Sequence, residues 1–341
     1  MTAAFRLRPS ALLGALAFLM AAVMAGLLVG PVALPPGKVL AEVASRLPFL
    51  SFDSGLDARQ AAIVWEIRLP RVLLGALVGA GLAVSGAAYQ GVFRNPLADP
   101  YLLGVAAGAG LGATMVIVSG GATAAIPVAA FLGGMAAAAA AYALGSLGGG
   151  PRSGATLILA GVAVAAFFTA AQTFLQQKHA ETVRQVFAWI LGRLSTSGWS
   201  EVAILTPYVA VGVTVILMHR RLLDVLSVGE EEAGTLGVDP TRVRMAVVAA
   251  ATLTTAAAVA MSGLIGFVGI IVPHTVRLLV GVSYRAILPL SVVAGAAFLV
   301  LADLTARTVL SPAEIPIGVV TAFLGAPFFA LVLRTSKRGV W

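Results

Sequence analysis

The chain has 341 residues, 60% of them hydrophobic and 11% charged, with a formal net charge of +8 from 22 basic and 14 acidic residues and a mean hydropathy of +1.00. A charged fraction under half the roughly 25% of soluble domains excludes a water-soluble globule and identifies an all-α polytopic membrane protein. The basic excess serves orientation and contact with anionic membrane lipid rather than nucleic acid, and the absence of cysteine removes disulfides, thiolate metal sites and cysteine nucleophiles.

Apolar runs long enough to cross a bilayer fill nearly the whole sequence, and about ten candidates emerge in chain order. The first covers 11–32, behind Arg6 and Arg8. It is too long for a signal peptide and has no small-x-small site before Lys38, so it is expected to stay in place. A polar, proline-bearing connection runs from Pro31 to Arg68. Further spans are expected over 72–93, 101–118, 124–147, 155–175, 202–218, 245–261, a shorter 270–280, 286–304 and 317–333. An even number returns both termini to one side. Placing that side in the cytoplasm puts 12 of the 22 basic residues inside, concentrated in the termini and in the connection 219–244. No repeat or composition boundary divides the sequence, so 1–341 reads as a single transmembrane domain.

Glycines inside the spans, such as Gly75, Gly79, Gly81 and Gly86 and then Gly104, Gly108, Gly110 and Gly112, fall at spacings that let helices approach closely. Proline interrupts two apolar regions, at Asn95–Pro100 and at Ile271–His274, and such breaks are expected to border a cavity. His274 and Arg277 flank the second break, but a histidine without companions at ligand spacing is a poor metal site. His219 joins Arg220 and Arg221 in a basic inner cluster, whereas His179 is either an ordinary loop residue or one that touches cargo.

The connection 229–244 concentrates Glu230, Glu231, Glu232, Asp239, Arg242 and Arg244 between two apolar spans. It is either a solvated acidic turn or a charged surface shown to another protein. No G-x-x-x-x-G-K-[ST] phosphate loop occurs, so an energised process needs a separate ATP-holding partner. Asp303 is the single plausible midspan carboxylate that an ion-coupled secondary transporter would use. Asp303 and Arg307 also fall at i,i+4 and read equally as an ion pair. Glu314 either caps the last helix or holds a neighbouring loop. An intramembrane enzyme is disfavoured, because no HExxH, partnered GxSxG or paired intramembrane aspartate appears.

Three segments carry a family resemblance: RLPRVLLGALVGAGLAVSGAAYQGVFRNPLADPYLLGVAAGAGLGA (68–113), SGLIGFVGIIVPHTVRLLVG (262–281) and LADLTARTVLSPAEIPIGVVTAFLGAPFF (301–329). In this order they resemble the iron-chelate and cobalamin importer permeases, the FecCD family. The resemblance implies the type II ABC importer permease fold in the plasma membrane. It implies a homodimer served by two cytoplasmic ABC ATPase subunits and an extracytoplasmic substrate-binding protein. No cofactor is expected on this chain, since ATP and Mg belong to the ATPase. It further implies that Glu230, Glu231, Glu232, Ala233, Leu236 and Gly237 couple to the ATPase, and that Arg68, Arg71 and Arg307 help dock the binding protein. Gly150, Pro151, Arg152 and Ser153 would form a cytoplasmic gate. Ferric siderophore is the favoured cargo by family frequency, with haem and cobalamin equally compatible with an apolar pathway.

Overall fold

The structure is a computed structural model that describes residues 7–46, 53–146, 154–194 and 198–336. The helices, in chain order, are α1 (Pro9–Leu28), α2 (Pro36–Ser45), α3 (Ala58–Ala62), α4 (Leu69–Val92), α5 (Val105–Val118), α6 (Ala125–Ser146), α7 (Gly154–Lys178) and α8 (Val183–Ile190). They continue with α9 (Ser200–Met218), α10 (Arg220–Val228), α11 (Glu230–Thr235), α12 (Pro240–Ser262), α13 (Val268–Val280), α14 (Tyr284–Thr308) and α15 (Ile317–Ser336). Among the described residues, seven helical stretches are long and apolar enough to cross a membrane, and α5, α13 and α15 are shorter apolar helices, ten in all. The expected fold class and number of spans are therefore present.

Two boundaries differ from the sequence expectation. The second span begins at Ala58, well before residue 72, and runs through a π-helical turn, Ile63–Arg68, into α4. Its start is a capping box: the Asp57 carboxylate accepts the Gln60 backbone N–H at 2.8 Å, and the Gln60 side-chain oxygen Oε1 accepts the Asp57 N–H at 3.3 Å. Glu66 and Arg68 hide this start from a search for uncharged runs. The connection before it also contains α2, whose Val39 and Val43 pack on Leu34, Val64 and Leu56.

Helix α4 is the centre of the bundle, buried along almost its whole length and packed against α14, α12, α9 and α13. Small side chains permit this. A Cβ at Gly79 would lie 2.2 Å from the Gly295 carbonyl oxygen, so α4 and α14 touch backbone to backbone. Gly108 and the Gly133 carbonyl stand in the same relation between α5 and α6. Between helices as apolar as lipid, such contact is the available source of packing energy.

Pro100 and Pro273 of the two proline breaks are packed in the bundle. The Asn95–Pro100 segment forms a tight turn, with the Asn95 side chain accepting Leu97 N–H at 2.9 Å and Asp99 accepting Tyr101 N–H at 2.7 Å. Pro100 closes against Gly269. Helix α13 continues through Pro273. Proline has no N–H to give the carbonyl four residues back, which is that of Gly269. That carbonyl instead accepts the Gln90 side-chain amide of α4 at 3.1 Å, so the lost backbone donor is replaced from a neighbouring helix.

This substitution of donors predicts a coupled pair. Gln90→Leu leaves the Gly269 carbonyl unsatisfied and lowers stability by about 1–3 kcal/mol. Adding Pro273→Ala restores a backbone donor and recovers part of that loss, as read in a double-mutant cycle of thermal unfolding in detergent. Additive effects would show that Gln90 does not serve the proline.

Candidate functional site

Functional side chains gather at the two ends of the bundle. At one end, the connection 219–244 folds as α10, α11 and the start of α12. Helix α10 buries Leu223 and Leu226. On its flank, Asp224 accepts the Ser283 hydroxyl at 2.8 Å and the Tyr284 backbone N–H at 2.5 Å. Tyr284 is the first residue of α14, whose leading N–H groups have no partner within their own helix. A carboxylate on α10 thus caps another helix. The polar chain continues inward: Arg277 of α13 donates to the Tyr284 hydroxyl at 3.4 Å and to the Gln90 side-chain oxygen at 3.1 Å. The connection is therefore joined by side-chain hydrogen bonds to α14, α13 and the central α4.

Helix α11 begins with three glutamates, the sign that suits a helix N-terminus. It ends in a Schellman turn. Val238 N–H bonds the Ala233 carbonyl and Gly237 N–H bonds the Gly234 carbonyl, both at 3.0 Å. The reversal places Gly237 at φ +77°, the left-handed region in which glycine is strain-free. Asp239 then caps α12 by accepting Thr241 and Arg242 N–H at 2.9 and 3.1 Å. Among the residues expected to couple to an ATPase, Ala233 is buried in the core, whereas Glu231, Glu232, Leu236 and Gly237 are exposed. Leu236 is 69% exposed and Val228 70%, so the tip carries two large apolar side chains beside two carboxylates. The gate expected at Gly150, Pro151, Arg152 and Ser153 lies outside the described residues.

At the opposite end, Arg68, Arg71 and Arg307 are brought together, but as an internal network. Arg68 and Arg307 are only 3% exposed. The last four carbonyls of α1 show why. Ala25 bonds Val29 N–H at 2.9 Å, Gly26 accepts Arg307 Nη2 at 2.6 Å, and Leu27 and Leu28 accept Arg68 Nη1 at 2.8 and 3.2 Å. Arg68 also donates to the Val32 carbonyl. Two guanidinium groups thus occupy the carbonyls that a helix C-terminus leaves open, where positive charge is favoured. Arg71 bridges α4 to α14 and to the loop after it. It donates to Asp303 at 2.8 Å and forks onto both oxygens of Glu314 at 2.8 and 2.9 Å. Its side chain is 11% exposed.

Asp303, the carboxylate an ion-coupled transporter would need, lies between Arg71 and Arg307, the latter at 3.5 Å. The Asp303–Arg307 pair expected from the i,i+4 spacing is present, whereas Glu314 fastens its own loop to Arg71 of α4. Hydrogen bonding from Arg71 holds the Glu314 carboxyl below its usual range. A depressed carboxyl pKa stabilises the fold above the unfolded-state value, and that contribution disappears as pH falls through the folded one.

The histidines take local roles. His274 packs edge-on to Phe328, the His219 ring bonds the Val215 carbonyl at 2.7 Å, and His179 lies 3.5 Å from Glu181. Asp224 and Gln90 went unnoticed in the sequence. Ser283 before an apolar run marks a helix start, but nothing local shows that the capping carboxylate lies about 60 residues upstream.

The FecCD transport family matches residues 16–335. The chain is 46% identical over 289 residues to the cobalamin import system permease protein BtuC of Halobacterium salinarum, covering 83% of this chain and 76% of that one. It is 39% identical to the hemin transport system permease protein HmuU of Yersinia pestis, over 81% and 84% of the two chains. A solved inward-facing conformation of a metal-chelate type ABC transporter superposes with a TM-score of 0.83 and 32% identity, over 96% of this chain and 100% of that chain.

Breaking the arginine network should destabilise the fold whatever the partners do. Arg71→Leu is expected to cost about 3–5 kcal/mol, because it strips Asp303 of its close partner in a low-dielectric setting. Arg71→Gln, which keeps hydrogen-bond donors for Asp303 and Glu314 and leaves Asp303 to pair with Arg307, should cost less than Arg71→Leu in thermal unfolding. An unchanged midpoint for Arg71→Leu alone would contradict the network's structural role.

Proposed function

We infer that this chain, which belongs to the FecCD transport family and is a multi-pass membrane permease of an ABC importer, works as a homodimer that passes a metal chelate into the cytoplasm. Two ATPase subunits bind and hydrolyse ATP with Mg, and an extracytoplasmic binding protein delivers the cargo. Both termini and the connection 219–244 face the cytoplasm, in the plasma membrane.

The observation that carries this reading is the tip of α11. Leu236 and Val228 stand exposed beside Glu231 and Glu232 on a segment fixed by a Schellman turn and by the Asp224 cap. An apolar pair rimmed by charge is a protein-docking surface. Its rigid mounting lets a push on the tip reach α14 instead of dissipating in a loop. We assign Glu230, Glu231, Glu232 and Leu236 to the ATPase contact, Ala233 to anchoring the segment in the core and Gly237 to its reversal.

At the outer face, the surface around Arg71 and Glu314 receives the binding protein, and Arg68 and Arg307 hold the helix ends that present it. The gate belongs to 148–154, where Gly150, Pro151, Arg152 and Ser153 lie. Cargo moves between the two copies along small and apolar side chains and binds tightly only to the binding protein. Of ferric siderophore, haem and cobalamin, cobalamin is the first to test, because the more similar of the two named relatives is a cobalamin permease.

The test is ATP-driven uptake in proteoliposomes that hold the permease, its ATPase and its binding protein, with each labelled chelate offered separately. One chelate should accumulate. Leu236→Glu combined with Glu231→Lys should lower uptake by about tenfold or more and release the ATPase on size-exclusion chromatography. Uptake driven by an ion gradient without ATPase would overturn the reading, and full uptake by the double variant would remove the α11 tip from it.

A further inference from the structure

A cavity of about 690 Å³ lies where the first turns of α6 and α9 meet the last turn of α12 and the residues that follow α8. By the alternation of the helices, it sits at the same end of the bundle as the arginine network. Its volume falls within the roughly 300–1,000 Å³ of small-molecule sites. The wall is chemically divided. Thr123, Trp189, Arg193, Ser200 and Glu201 line its polar part. Pro127, Val128, Ile204, Ala260 and Met261 line its apolar part and also line a second space of about 150 Å³. That second space continues along α6 and α9 past Phe131, Leu132 and Tyr208.

A polar chamber at the end of the spans thus opens into an apolar groove that follows them inward. Val128, Leu132, Ile204 and Tyr208 are exposed on helices apolar and long enough to span, so the groove opens toward hydrocarbon. This division suits an amphiphile with a polar head and an acyl tail, and it does not suit a wholly polar solute. Trp189 is of the residue type that settles at headgroup depth.

The charges narrow the head. The exposed Arg193 has no side-chain partner among the described residues, while Glu201 takes the Ser200 hydroxyl at 2.8 Å. Among the described residues, one cation and one anion line the chamber. A phosphate would meet the Arg193 guanidinium, and an ammonium that can donate hydrogen bonds would meet the Glu201 carboxylate. We propose that this cavity and groove bind one phosphatidylethanolamine molecule, with its phosphate at Arg193, its ammonium at Glu201 and an acyl chain between α6 and α9.

The test is native mass spectrometry of the delipidated permease complex, with dioleoyl phosphatidylethanolamine, phosphatidylglycerol and phosphatidylcholine added separately. One phosphatidylethanolamine should be retained at least about fivefold better than either other lipid. Ile204→Trp, which fills the groove, and Arg193→Gln should each lower that retention by about fivefold. Where Ile204→Trp fails to fold by size-exclusion chromatography, the exposed Arg193→Gln decides alone. Preference for phosphatidylglycerol would overturn the headgroup assignment, and unchanged retention in folded variants would overturn the site. A disulfide forming between copies that carry Val128→Cys and Ile204→Cys would show the groove to be covered by a second chain. Lipid retention is read without ATP or cargo, so its failure leaves the transport reading untouched.

Discussion

Hydrocarbon offers no hydrogen bonds, so every backbone group at membrane depth must find its partner within the protein. The end of α1 shows how strongly this shapes the molecule. Four terminal carbonyls take one backbone donor from Val29 and three bonds from Arg68 and Arg307. Those arginines come from the start of the second span and the end of α14, so the requirement of one helix end ties three helices together. Arg71 extends the same knot to Asp303 and Glu314. Pro273 poses the problem in the bundle's interior, where Gln90 supplies the donor that proline lacks.

These constraints make α4 a fixed post. Glycine contacts hold it against α14 without an intervening side chain, and Gln90 ties it to α13. Motion in such a bundle has to be carried by neighbours that pivot as bodies, because packed interiors resist gradual deformation. The α10–α11 segment is well placed to drive a neighbour. It presents an apolar and acidic tip outward and grips the first turn of α14 through Asp224. Within the importer reading, force enters at Leu236 and leaves at Tyr284, and the knot at the far end of α14 sets where that helix pivots.

Much of this was legible from the sequence. Apolar length alone located ten spans, and the contrast of Glu230–Glu232 with their surroundings singled out the α11 segment. What escaped notice did so for physical reasons. Glu66 and Arg68 masked the start of the second span, since a charge search cannot know that Arg68 spends its charge on α1 carbonyls. Arg68 and Arg307 were expected at the binding-protein surface because the family resemblance implies it, and only the fold reveals the α1 carbonyls that they occupy. Pro273 read as a break because the donor that heals it lies about 180 residues upstream. Asp224 carried no local sign at all. Its meaning depends on where α14 begins.

The central claim is that the Asp224 cap carries the ATPase stroke into the bundle, and the ratio of cargo moved to ATP hydrolysed tests it most directly. In proteoliposomes, Asp224→Ala should leave ATPase assembly and hydrolysis nearly intact while transport per ATP falls by about tenfold. Asp224→Asn keeps an acceptor for Tyr284 N–H and should recover part of that loss. An unchanged ratio in a folded Asp224→Ala complex would contradict the claim, and the stroke would have to enter by another contact.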